Sequence, residues 1–217
     1  MKYCNNHIFI IFIIIIKNSE IMKEIFQEIL ELIYAIRRQK VIIYRIGLLF
    51  LISFLVSYIL IVNIPWLQSF GKETLTKFLT SLNLKDLKSM NMGDIFLLIV
   101  KHNLSVNMLN YILNIFSTLI IVFNAFILAY VLSISNLLVF ILLVCPHGIV
   151  EIPALILGSS AGVTLFTSFV YRLRGNTFKA YAQFWDSLRL LFISMVLFIV
   201  AAFIESFITF GIKSLLC

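Results

Sequence analysis

The chain has 217 residues, of which 62% are hydrophobic and only 12% charged, and its mean hydropathy is +1.08. That is more apolar surface than one soluble core can bury, so the composition excludes a water-soluble globular protein and defines an integral membrane protein. The net charge of +7 does not indicate nucleic acid as a partner, because the basic residues are not gathered with stacking aromatics on one soluble face.

In chain order, residues 8–16 form an isoleucine-rich run too short to span a bilayer, with no small-residue cleavage site after it. Residues 1–21 read as a tail, or as sequence upstream of a start at Met22. From there Met22, Ile25, Phe26, Ile29, Ile33 and Ile36 recur at three- and four-residue spacing opposite Lys23, Glu24, Gln27, Glu28 and Glu31. This predicts a cytoplasmic amphipathic helix over 22–37, lying on the inner membrane surface. Residues 41–62 are long and apolar enough for a first span. Trp66 then anchors an outer amphipathic piece carrying Leu75, Phe78, Leu79 and Leu82.

Residues 111–132 predict a second span. Around it Asn103, Asn107, Asn110, Asn114, Ser117 and Asn124 fall at heptad-like offsets, a seam for a single inward-facing helix side. Such a seam either specifies helix packing or lines a polar path. The apolar stretch 136–170 is interrupted by Pro146-His147-Gly148-Ile149-Val150-Glu151-Ile152-Pro153. The six arginines lie in two groups, Arg37, Arg38 and Arg45 before the first span and Arg172, Arg174 and Arg189 around the last loop. The positive-inside rule places both groups in the cytoplasm, which requires an even number of crossings between them. The broken stretch is therefore expected to be a hairpin with arms 136–145 and 152–170, bending at Pro146-His147-Gly148, with Pro153 opening the returning arm. A last span over 190–210 completes five membrane segments. The expected architecture is an all-α polytopic bundle, one domain over residues 22–217, with a cytoplasmic N-terminus.

Ionisable and amide groups at membrane depth need partners. His147, Glu151 and Glu205, with Asn107, Asn110, Asn114 and Asn124, are accordingly expected to form a buried polar centre. Gly158 and Gly162 form a small-xxx-small packing patch that suits self-association as a homodimer. Cys4, Cys145 and Cys217 make neither a disulfide framework nor a zinc motif. The His147-x-x-x-Glu151 spacing puts two groups on one helix face, but a metal site needs more ligands, and His7 and His102 lie at other depths. No metal, cofactor or catalytic residue is assigned.

The stretch Pro146-His147-Gly148-Ile149-Val150-Glu151-Ile152-Pro153-Ala154, the small patch to Gly162, and Ala201-Ala202-Phe203-Ile204-Glu205-Ser206-Phe207 closely resemble the signature stretches of the stage II sporulation protein M family. The Asn103 region and Phe123-Asn124-Ala125 are similar to its remaining motif. The sequence departs from the family in carrying alanine at positions 125 and 129, where glycine is expected. The resemblance implies a multi-pass plasma-membrane protein, and for the family's namesake a non-enzymatic scaffold that holds wall-degrading partners at the membrane. Membrane or cell-wall-associated protein partners are the corresponding expectation here. Two other classes stand beside it: a transporter or channel-like protein binding a solute or ion at the polar centre, and an intramembrane enzyme using Glu151 or Glu205.

Overall fold

The computed structural model describes residues 4–81 and 91–209, with side chains from residue 20 onward. Expectations placed on Leu82, on His7 and the end cysteines Cys4 and Cys217, and on the side chains of Phe78 and Leu79 lie outside what it describes. The described residues form seven α-helices: α1 Cys4–Arg38, α2 Lys40–Asn63, α3 Pro65–Ser81, α4 Met92–Leu113, α5 Ser117–Ile134, α6 Leu137–Leu173 and α7 Thr177–Ile204. Four stretches are long and apolar enough to cross a membrane, namely Lys40–Asn63, Met92–Ile134, Val144–Leu173 and Thr177–Phe207. In hydrocarbon only a helix satisfies all its own backbone groups, so apolar runs of this length have one practical conformation. Short polar side chains start α4, α6 and α7. Asn91 accepts from the Asp94 amide, Asn136 from Leu138 and Asn176 from Lys179.

The expected hairpin at Pro146-His147-Gly148 is not there. Residues Leu137–Leu173 form one helix of 37 residues, with Pro146 and Pro153 both inside it. Each proline removes a single N–H from the ladder. A reversal at membrane depth would strand many more backbone groups, so the helix runs on.

The chain instead turns at Asn114, the one non-glycine residue with positive φ among those described (φ 55°). Asparagine tolerates such backbone because its short amide bonds locally. Here Asn114 Nδ2 donates to the Ile112 carbonyl at 2.7 Å, and a single 3₁₀ turn, Asn114–Phe116, leads into α5. Contacts with α6 establish the reversal. Gly158 faces the Asn107 side chain and Gly162 faces the Asn110 and Asn114 carbonyls, so α4 recedes from the turn as α6 is followed back from Gly162. On the other arm, Ser117 Oγ donates to the Ser159 carbonyl at 3.3 Å, and Ile121 and Ala125 cluster with Ala154 and Leu155. Both arms leave the turn in the same direction. Residues 111–132 are therefore not one span, and the asparagine seam is cut in two.

Ile46, Phe50, Ile121, Ala125, Ala154, Leu155 and Phe198 form a core that ties α2, α5, α6 and α7 together. Ala125 and Ala129 are fully buried, so alanine is small enough for this helix approach. At one end of the bundle α3 covers Ile61 and Tyr130 with Leu67 and Leu75. At the other, α1 extends unbroken past Met22 toward the N-terminus and is pinned to α7 by its polar side. The Asp186 carboxylate, 3% exposed, accepts from Arg38 Nη2 at 2.6 Å and Nε at 3.0 Å, and from Gln39 Nε2 at 2.8 Å. Arg189 lies 3.2 Å from Glu31 and 3.5 Å from Glu28. Asp186 holds the Arg38 guanidinium charged, pushing its pKa above the ordinary arginine value despite some desolvation.

Candidate functional site

His147 and Glu151 are one turn apart on α6, so helical geometry alone places them on one face. Their closest atoms, His147 Nε2 and Glu151 Oε2, are 3.9 Å apart. Glu205 joins them from α7, which runs antiparallel to α6. There the helix widens into a π-helical turn, Glu205–Thr209; single π turns recur where a side chain must be re-aimed inward. One potential ligand atom from each of the three residues lies within 4.8 Å of the others. All three are partly buried: the His147 side chain is 13% exposed and that of Glu151 is 36%. Phe96 of α4 packs beside the cluster's α7 strand of residues, with ring centroids 6.4 Å from both Phe203 and Phe207.

Two carboxylates facing each other at this depth repel, and no lysine or arginine forms an ion pair with them among the described residues. An imidazole nitrogen with two carboxylate oxygens is, however, a donor set for divalent metals. Ligands around one shared ion at about 2.0–2.2 Å lie within about 4.4 Å of one another. The observed spread of up to 4.8 Å is close to that limit. Helical spacing pairs His147 with Glu151, and Glu205, expected at the same polar centre from its depth in the last apolar run, lies beside them.

The asparagines are distributed elsewhere. Asn107 on α4 is fully buried, against Gly158 and 3.1 Å from Ser194 Oγ. That hydroxyl has one proton, and the 2.6 Å contact with the Ala154 carbonyl takes it. The Asn107 amide is therefore best oriented with its nitrogen toward Ser194. Asn110 is fully buried with neither amide atom bonded, and Asn103 is 6% exposed with Nδ2 unbonded. Asn114 makes the turn, and Asn124 on α5 bonds back to the Ile120 carbonyl at 2.8 Å. Gly158 and Gly162 face α4 of the same chain. The small patch packs inside the bundle. The Arg38–Gln39–Asp186 latch and Ser194 were not singled out in sequence, since Arg38 and Asp186 are 148 residues apart and no local pattern connects them.

A bundle of long apolar helices, with an imidazole and two carboxylates meeting between α6 and α7, defines an all-helical membrane protein with a partly buried polar cluster. Comparison with known proteins gives the particular family. Residues 46–210 match the model of the stage II sporulation protein M family, and the chain belongs to that family. It is also 41% identical over 202 residues to the uncharacterized protein MJ0706 of Methanocaldococcus jannaschii, an alignment covering 90% of this chain and 93% of that protein. No solved structure matches the chain. The matched region contains His147, Glu151 and Glu205, and excludes all of α1.

Proposed function

We propose that this protein is a five-crossing membrane protein whose working centre is a divalent-cation site formed by His147, Glu151 and Glu205. The observation that carries the reading is the convergence of one nitrogen and two carboxylate ligands within 4.8 Å at membrane depth, where a dication relieves the repulsion between the acids. In this arrangement α2, α4, α5, α6 and α7 each cross once. The N-terminus is cytoplasmic, and the Asn114 turn and the α6–α7 loop face the cytoplasm. Four crossings then separate Arg45 from Arg172, as the arginine distribution requires. This is the ion-binding class, and it assigns no bond-making step.

The test is metal titration of the purified, chelator-stripped protein with Mn²⁺, Zn²⁺ and Co²⁺, read by calorimetry. One equivalent is expected to bind, with the affinity of Glu151→Gln and Glu205→Gln reduced by at least tenfold. Absence of binding, or binding that ignores both substitutions, refutes the site.

A second reading is the partner-organising scaffold implied by the family. The observation favouring it is α1: ion pairs hold its polar side against α7 while Met22, Phe26, Ile29 and Ile33 remain 65%, 62%, 49% and 46% exposed. Under this reading the strip receives a partner at the inner face. Co-purification in gentle detergent of the native chain, but not of Ile29→Glu/Ile33→Glu, with one stoichiometric protein supports it. Equal recovery with both chains counts against it.

A further inference from the structure

Beside the α4–α5 turn lies an open groove of about 750 Å³, far from the His147 cluster and lined by Ile112, Phe116, Phe166, Phe169, Phe184 and Arg172 among others. Its walls are almost wholly apolar, and its single cation is in the last turn of α6. The groove's depth follows from its neighbours. Tyr111, just before the turn, has its hydroxyl 3.2 Å from Ser187 Oγ, and Ser187 adjoins Asp186, the residue that holds Arg38. The groove therefore begins at the level where the charged residues of α1 meet the bundle and extends toward the α6–α7 loop. The exposed aromatics Phe178, Tyr181 and Trp185 (84%, 65% and 42%) occupy the same end, as an interfacial aromatic belt does.

Charge decides what fits. The acids paired at this end, Glu28, Glu31 and Asp186, are engaged by Arg38 and Arg189. Among the described residues no carboxylate forms an ion pair with Arg172 or Arg174. A guanidinium at the rim of an apolar, lipid-level groove complements a molecule with an anionic head and a hydrocarbon tail. We propose that this groove binds an anionic phospholipid of the inner leaflet, its phosphate on Arg172 and an acyl chain along Phe116, Phe166 and Phe169. The site is independent of the cation centre.

The experiment compares thermal unfolding of the full chain in nanodiscs of phosphatidylcholine with and without phosphatidylglycerol. Phosphatidylglycerol is expected to raise Tm by about 3 °C or more, the shift that about 1 kcal/mol of linkage gives a chain of this size. Arg172→Gln should abolish that shift, whereas Arg174→Gln, which also removes an exposed charge, should retain most of it. Phe169→Ala should reduce the phosphatidylglycerol effect without changing Tm in phosphatidylcholine by a comparable amount. Equal loss in both arginine variants means general surface attraction and overturns the site. So does a shift reproduced by inorganic phosphate in pure phosphatidylcholine, or the absence of any shift.

Discussion

Gly162→Ala is the sharpest test of the way α6 meets the α4–α5 turn. A Cβ at Gly162 would lie 2.6 Å from the Asn110 carbonyl oxygen and 3.2 Å from that of Asn114, whereas ordinary contact begins near 3.4 Å. Relieving the closer contact needs a shift of about 0.8 Å, and the obstacle is main chain in the last turn of α4, which no rotamer change can move. Overpacking of a filled interior costs about 1–3 kcal/mol, and a backbone obstacle belongs at the upper end. The gain in helix propensity of alanine over glycine offsets about 1 kcal/mol, leaving a net loss of about 2 kcal/mol. Unfolding in mixed micelles by increasing denaturing detergent should show that loss, with a Tm lower by about 4–8 °C. Gly47→Ala is the control, since its Cβ would meet only Ile156 Cδ1 at 3.7 Å. It should match the native protein or exceed it by up to about 1 kcal/mol. Gly158→Ala should fall between the two, because its obstacles are the Asn107 side chain and Ser194 Oγ, side-chain groups that can move at the loss of their mutual contact. Native stability in Gly162→Ala would refute the placement of α4 against α6.

Removing the carboxylate in Asp186→Ala should cost about 1–2 kcal/mol, less than a fully buried ion pair because the Arg38 side chain is 44% exposed and keeps Glu31; faster tryptic cleavage at Arg37 or Arg38 would report the release of α1. Ser194→Ala removes the donor to Ala154 and the partner of Asn107, and should lower stability by about 1–2 kcal/mol in the same unfolding assay. Asn114→Gly should preserve or raise stability and Asn114→Val should lower it by about 2 kcal/mol, since positive φ suits glycine and penalises a β-branched residue. Cysteines placed at Ile115 and Arg37 should react with an impermeant thiol reagent from the same side of sealed vesicles, and one at Trp66 from the other. Labelling of Ile115→Cys together with Trp66→Cys would remove the five-crossing arrangement.

Much of this molecule follows from composition. Apolar runs near the thickness of a bilayer must become helices, because hydrocarbon offers the backbone no other partner, and the amphipathic pattern from Met22 to Ile36 appears as the exposed strip of α1. The signature residues around His147, Glu151 and Glu205 were enough to identify the family, and the His147–Glu151 pairing is local helical geometry. The arginine distribution calls for a reversal but does not fix its position. Two prolines and a glycine are a strong turn signal in water, but in an apolar span a turn exposes more backbone than two missing N–H groups do. The reversal went instead to Asn114, whose amide can cap its own turn and which looked in sequence like one more member of a helical seam. Tertiary structure alone decided the rest. It separated Asn107, Asn110, Asn114 and Asn124 from the His147–Glu151–Glu205 cluster that the sequence placed them with, turned Gly158 and Gly162 toward α4, and brought Asp186 to Arg38. Those contacts join residues distant in the chain, and they depend on which helix faces are left once each has buried its small and polar residues against a neighbour.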